Sequence, residues 1–311
     1  MEGNVTNALE PNQAQVAQSR AWTNSSISWL ARSGGFPLLL RAALDRVPVV
    51  IACDEAGVAS STRDLLLALL SFRTPLAFPG ELADAEQADS VLYVEKEDPY
   101  GKRATFTCRP RDAKAAVETF GDFTGWILPT VKRDAEFVNA HLSKRADPYV
   151  TCEVNERRKN LKCSAHGKRR AEVADASHEK RLVLEAAAKT DKALESIRAA
   201  LEGNENGAGS RGPLDLDLER AEVQTRLLSR ALGNFHAACL VAYTIYLKAE
   251  YLNNLGLSTS FSDATVLSVM NYDAPIERVN YFIAREWFVD FASLVDKSRV
   301  KRFEDRVRSA F

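Results

Sequence analysis

The residue types most able to do chemistry form a basic cluster near the middle of the chain. Positions 141–170 hold nine Lys or Arg residues against three Asp or Glu. Such cations bind phosphate oxygens through charge and hydrogen bonds, so the cluster is a candidate contact for nucleic acid. No Phe, Tyr or Trp interleaves with its second half, which favours contact with the phosphate backbone over base stacking. The candidate residues are Arg157, Arg158, Lys159, Lys162, Lys168, Arg169 and Arg170.

Two further stretches make the charge distribution uneven. Residues 81–98 hold seven acidic residues and one lysine, and residues 297–308 carry six basic ones, although the formal net charge of the chain is only -1. Opposite patches on a nearly neutral chain fit either a groove for a phosphate backbone or head-to-tail contact between identical subunits. A third interpretation stays open, in which the charges form only a solvated junction between domains.

A second candidate site follows the first strongly apolar run. Residues 47–53 have the pattern of a strand buried on both faces, and a loop at 54–59 is expected to lead into a helix at about residue 61. Open α/β sheets bind ligands beyond the carboxyl ends of their strands, where a helix start offers free N–H groups to an anion. Ser60, Ser61 and Thr62 are therefore candidate phosphate ligands, or an ordinary helix cap. The loop contains neither Gly-x-Gly-x-x-Gly nor Gly-x-x-x-x-Gly-Lys-Ser/Thr, so it carries no nucleotide fingerprint.

The same loop carries two adjacent carboxylates, Asp54 and Glu55, which could hold a divalent cation. The tetrapeptide Asp-Glu-Ala-Gly at 54–57 resembles the opening motif of type 2 ribonuclease H, but no Arg-Gly follows it and no later acidic partner can be assigned. Cys163 and His166 have a ligand-like spacing, yet no second close pair completes a zinc site. We therefore assign no catalytic residue and expect no metal and no cofactor.

Two regions of different character must position these residues. Predicted strands at 47–53, 76–78, 90–94, 105–108, 126–128 and 149–152 alternate with helical stretches, which indicates βαβ units. Beyond residue 154 no strand is predicted and the pattern is helical. The predicted fold class is an α/β N-terminal domain with a mainly parallel sheet, followed by an all-helical C-terminal domain.

The predicted domain boundaries follow the composition of the chain. Residues 1–34 form an N-terminal helical arm, and residues 35–153 form the α/β domain. Residues 154–213 contain the basic junction, a long helix and a Gly-rich connector, and residues 214–311 form the helical domain. Helical faces of this last part supply subunit contacts or fill a core, and they carry Tyr243, Tyr246, Tyr251, Trp287 and Phe288.

The cysteine content and the apolar runs indicate the cellular compartment. Five scattered cysteines are too few for a disulfide framework in a chain of 311 residues, and the first 20 residues lack the pattern of a secretory signal. A cytoplasmic protein with reduced thiols is therefore expected. Residues 231–247 are apolar on nearly all sides but too short to span a bilayer, which predicts a buried helix and no membrane partner.

Together these features predict an oligomeric structural or scaffold protein that contacts nucleic acid, RNA or DNA, through its basic junction, as in a nucleoprotein or capsid-like assembly. The alternative is an α/β enzyme or sensor that binds a phosphorylated small molecule at the loop from Asp54 to Thr62. Of the two, the enzymatic role is the less favoured.

Overall fold

The computed structural model describes residues 29–78, 104–120, 125–144, 147–202, 213–257, 261–291 and 295–296. Eight strands lie in these ranges: β1 (Val49–Cys53), β2 (Thr74–Ala77), β3 (Ala104–Thr107), β4 (Trp126–Val131), β5 (Tyr149–Asn155), β6 (Asn160–His166), β7 (Phe261–Ser262) and β8 (Val295–Asp296). The described α-helices are α1 (Phe36–Leu44), α2 (Ala56–Leu69), α3 (Ala113–Phe120), α4 (Lys132–Leu142), α5 (Arg170–Ala174), α6 (Ser177–Glu202), α7 (Pro213–Asn254), α8 (Asp263–Met270) and α9 (Ile276–Trp287).

Six strands form one sheet in the order β2-β3-β4-β1-β5-β6. All neighbouring pairs run parallel except β5 and β6, which form an antiparallel hairpin at one edge. The strand β1 lies at the centre, and all five of its residues are buried. Its sequence, Val-Val-Ile-Ala-Cys, is the continuous apolar run that burial on both faces requires. The fold class predicted from the sequence is confirmed for the sheet and for the helices that follow it.

Alternation along β1 divides the interior into two cores. Val49, Ile51 and Cys53 belong to a large core shared with α1, α2, β5 and the C-terminal helices α6 to α9. Val50 belongs to a smaller core on the opposite face, which α3 and α4 cover. Side chains of successive strand residues point to opposite faces, so one short strand serves both cores.

The C-terminal helices pack directly against the sheet. The large core runs without interruption from α1 and β1 to α7 and α9, so apolar contacts cross the predicted boundary between the two domains. The boundaries themselves remain predictions. Of the helices within the described ranges, none combines the length and apolar character that crossing a bilayer requires.

Buried ion pairs join the helical part to the sheet. The Nη2 atom of Arg278, on α9, lies 2.8 Å from Oδ1 of Asp45 at the end of α1 and 2.7 Å from Oε1 of Glu179 on α6. All three side chains are almost inaccessible to solvent. Burial raises the pKa of Asp45, and the charges of Arg278 and Arg41 oppose that rise. A second buried pair joins Arg73 to Glu286, and Arg73 also donates to two carbonyls at the end of α1.

Three sequence-based predictions of individual elements are wrong. First, the segment beyond residue 154, where only helices were predicted, contains the strand β6 and a short parallel pair formed by β7 and β8. Second, α2 begins at Ala56 rather than near residue 61. Third, the sequence pattern predicts two separate helices, at 214–232 and 234–254, on either side of Gly233. The structure instead has one helix, α7, in which Gly233 continues the helical backbone. The predicted strand at 90–94 lies outside the described residues.

Candidate functional site

The hairpin of β5 and β6 presents part of the basic cluster at its tip. Asn155 and Asn160 are the last paired residues, and a four-residue turn at 156–159 joins them. The Oδ1 atom of Asn155 accepts a hydrogen bond of 3.0 Å from the backbone N–H of Arg158, and the N–H of Lys159 donates to the carbonyl of Glu156. Both hydrogen bonds lie within residues 155–159, so they stabilise the turn locally. Arg157, Arg158 and Lys159 are consequently exposed beyond the end of the sheet.

The remaining basic residues follow the outer strand away from this tip. Along β6, Leu161 is buried and Lys162 is exposed, because β6 is an edge strand with one face on the large core. Gly167 has a φ of +94° and turns the chain after the strand, which leaves Lys168, Arg169 and Arg170 exposed at the opposite end of the hairpin. With seven residues in β6, the two triplets lie about 20 Å apart along the edge.

The seven candidate cations therefore form a line along one edge of the sheet, with a triplet at each end and Lys162 between them. Arg169 is engaged, since its Nε atom lies 2.7 Å from Oε1 of Glu172. Among the residues that the structure describes, no carboxylate oxygen lies within ion-pair distance of the other six. Glu153 pairs with Lys162 in the strand register without reaching that distance. Six cationic groups thus remain open to solvent and to a ligand.

A cleft of about 350 Å³ lies beside the hairpin tip, at the carboxyl ends of β1 and β5. Parallel strands end at the same edge, so the loop after β1 and the turn after β5 face each other across it. Acidic and basic side chains both line this cleft. Its lining residues are Asp54, Glu55, Val58, Val154, Asn155, Glu156, Arg157 and Arg158.

Lys132, which the sequence analysis did not single out, lies directly after β4 and contacts Asp54 at the carboxyl ends of the strands. Its Nζ atom lies 2.9 Å from Oδ1 of Asp54. The hydrogen bond to Asp54 raises the pKa of Lys132, and the ammonium group occupies one side of the carboxylate that would otherwise attract a cation. The position of Lys132 directly after a strand was the available signal. That position places Lys132 near Asp54 only because β4 is the parallel neighbour of β1, and the sequence alone does not give this pairing.

The hydroxyl groups proposed as phosphate ligands lie inside α2 rather than at its start. Ser61 donates to the carbonyl of Gly57 at 3.0 Å, and Thr62, which is buried, donates to the carbonyl of Val58 at 2.9 Å. Such bonds to the preceding turn occupy the hydroxyl protons. Ser60 is half-buried in the same turn. The helix start that borders the cleft is instead formed by the residues from Ala56 to Val58.

Residues considered for metal binding are distributed over separate surroundings. Cys152 and Cys163 face each other across the hairpin, whereas Nε2 of His166 lies 2.8 Å from Oγ1 of Thr151. His178 lies on α6 beside the ring of Phe235. No group of three or more metal-binding side chains occurs in the described part of the chain.

The aromatic residues considered for subunit contacts divide between core and surface. Tyr243, Tyr246 and Trp287 are buried, and the rings of Tyr243 and Trp287 stack at 4.5 Å. Tyr251 and Phe288 are more than half exposed. The acidic stretch at 81–98 and the basic residues at 297–308 lie outside the described residues.

Comparisons of the chain with protein families, with curated proteins and with solved structures each found no match. Function must therefore be inferred from the chemistry of the hairpin and of the cleft beside it.

Proposed function

We propose that this protein binds the phosphate backbone of nucleic acid along the edge formed by β5 and β6, and that it acts as a scaffold in an oligomeric nucleoprotein assembly in the cytoplasm. The observation that carries the proposal is the line of six exposed cations without carboxylate partners among the described residues. Lys180, Lys192 and Arg230 are also exposed without a carboxylate partner among the described residues. Those cations lie singly on α6 and α7, whereas the six of the hairpin follow one another along one strand and its two ends.

The spacing of the line suits a polyanion better than a single phosphate. The two triplets are about 20 Å apart, which matches about six base-pair steps of duplex at about 3.4 Å each. A small phosphorylated ligand reaches one triplet only, whereas a nucleic-acid backbone offers a phosphate to both ends and to Lys162. Because the hairpin presents flexible side chains and no aromatic platform, we expect binding that depends weakly on base sequence.

Exposed aromatic side chains provide surface for the proposed oligomerisation. Tyr251 and Phe288 offer exposed aromatic surface in the helical part, and aromatic residues are enriched in protein interfaces. Binding of several copies to one backbone would also bring subunits together. Light scattering of the protein with and without a long RNA measures this directly, and an unchanged mass per particle would argue against a scaffold.

The binding test compares two variants that each lose three positive charges. The tip variant carries Arg157→Ala, Arg158→Ala and Lys159→Ala. The matched control carries Lys192→Ala, Arg230→Ala and Lys248→Ala, which are exposed positions on α6 and α7. Fluorescence anisotropy with a labelled 20-nucleotide RNA and a duplex of the same length, at 50 mM salt, should show at least tenfold weaker binding for the tip variant. The control should stay within about twofold of the unmodified protein, because its charges lie away from the line. Equal losses in both variants would show a nonspecific charge effect and would remove the proposal.

A second candidate function is binding of a phosphorylated small molecule in the cleft. The observation in its favour is that Arg157 and Arg158 face the start of α2 across a cleft at the carboxyl ends of β1 and β5, which is where open α/β sheets bind ligands. Asp54 and Glu55 oppose an anion there. Thermal-shift measurements with phosphosugars, nucleotides and divalent cations separate the two functions. Stabilisation by one small ligand, lost in an Arg158→Ala variant, would favour the cleft.

A further inference from the structure

Two thiols face each other across the hairpin behind the basic tip. Cys152 on β5 and Cys163 on β6 are direct partners in the antiparallel register. Directly opposed residues of antiparallel strands have Cα atoms about 4.5–5.5 Å apart, which lies within the range of about 4.4–6.8 Å that a disulfide requires. Both side chains lie on the face of the hairpin that packs against the large core, where Cys152 is buried and Cys163 is half-buried. The strand register and the shared face therefore place the two side chains for a covalent bond between their sulfur atoms.

We infer that Cys152 and Cys163 form a redox modification site, in which a small-molecule disulfide of the glutathione class converts the two thiols into a reversible cross-strand disulfide. The inference rests on the strand register and on the common face of the two side chains. It does not depend on the nucleic-acid function proposed above.

The surroundings of the five cysteines single out this pair. Cys53, Cys108 and Cys239 are buried among apolar side chains, whereas Cys163 is partly exposed at the sheet edge. Burial raises the pKa of Cys53 and of Cys108 to about 12, which keeps these thiols protonated and unreactive. Cys163 is thus the one cysteine of the five that is not buried, and Cys152 is its partner in the strand register.

The exchange proceeds in two balanced steps. The Cys163 thiolate attacks one sulfur of the small disulfide, so that a mixed disulfide forms and one small thiolate leaves and takes up a proton. Cys152 then loses its proton to solvent, and its sulfur attacks Sγ of Cys163 and displaces the second small thiol. Two protein thiols are oxidised, and one small disulfide is reduced to two thiols. Burial raises the pKa of Cys152, which slows the second step because less of its thiol is ionised.

The experiment measures the bond by peptide mass. The full-length protein is equilibrated in buffers of oxidised and reduced glutathione, unfolded in guanidinium with iodoacetamide, and digested with trypsin. Trypsin cleaves after Arg157, Arg158, Lys159 and Lys162, so the two cysteines lie in separate peptides, at 146–157 and 163–168. We expect these two peptides to be joined in oxidising buffer and released by dithiothreitol.

Two variants make the assignment specific. Cys163→Ser should abolish the linked peptide, because position 163 is partly exposed and tolerates a hydroxyl. Cys108→Ala, on the opposite face of the sheet, should leave it unchanged. The inference is overturned if the unmodified protein yields both peptides fully alkylated at every glutathione ratio. A Cys152 peptide joined to that of Cys53, or a glutathione adduct on Cys163 that never resolves, would overturn it as well.

Discussion

Two groups of charged side chains differ in burial and in role. The first group is buried and consists of Arg278 with its two partners, Asp45 and Glu179. These ion pairs join α9 and α6 to the end of α1. The cations of the hairpin are exposed, and apart from Arg169 they have no ion-pair partner among the described residues. Exposed and unpaired cations contribute little to folding, which leaves them available for binding.

Removal of the buried guanidinium should be costly. We expect Arg278→Leu to lower the free energy of unfolding by about 3–5 kcal/mol, because Asp45 and Glu179 would remain buried without a countercharge. The control is Arg226→Ala, which breaks an exposed pair with Glu222 and should cost less than about 1 kcal/mol. Urea unfolding of both variants measures the difference. Similar losses for the two would contradict the structural role assigned to Arg278.

His178 should make stability depend on pH. Burial lowers its pKa to about 4 in the folded protein, whereas an unfolded chain binds the proton below about pH 6.5. The stabilisation from His178 is therefore present above pH 6.5 and is lost as the pH falls toward 4. Between pH 7 and pH 5 the unfolding free energy should drop by about 2 kcal/mol more in the unmodified protein than in His178→Leu. Parallel pH profiles for the two proteins would show that His178 already binds a proton in the folded state.

At the scale of elements, the hairpin of β5 and β6 shows what the sequence could and could not predict. The run Val-Pro-Val-Val-Ile-Ala-Cys predicts β1 because a central parallel strand needs apolar residues on both faces. Between Asn160 and His166 the buried or half-buried Leu161, Cys163 and Ala165 alternate with exposed polar residues. That pattern is weak because an edge strand buries one face only, and the surrounding lysines and arginines suggested a solvated junction.

The turn after β6 depends on a single glycine. At Gly167, with φ of +94°, a Cβ atom would lie 2.9 Å from the carbonyl oxygen of Asp147. We expect Gly167→Ala to destabilise the protein by about 1–3 kcal/mol. Gly233 lies within α7 with no atom within 4 Å of an added Cβ, so Gly233→Ala should stabilise it by about 0.5–1 kcal/mol. Thermal unfolding measures the sign of both stability changes. A stabilising Gly167→Ala would contradict the positive φ at this position.

At the scale of the whole molecule, topology decides which residues meet. Asp54, Lys132 and Arg157 are spread over more than a hundred positions of the sequence, yet the strand order β4-β1-β5 brings them together at the carboxyl ends of the strands. No local pattern contains that order, because it is set by long-range strand pairing. Hydroxyls such as that of Thr62 were predicted to face a ligand on the assumption of a later helix start, and the earlier start at Ala56 turns them toward the preceding turn instead.

The salt dependence of nucleic-acid binding tests the central claim most directly. If six exposed cations neutralise duplex phosphates, the logarithm of the association constant should fall against the logarithm of salt concentration with a slope of about -5, and affinity should drop about 10³-fold between 50 and 200 mM salt. The tip variant should show a slope of about -3, and the matched control variant on α6 and α7 should keep the original slope. No binding at low salt, or one slope shared by all three proteins, would contradict a phosphate-binding edge on this sheet.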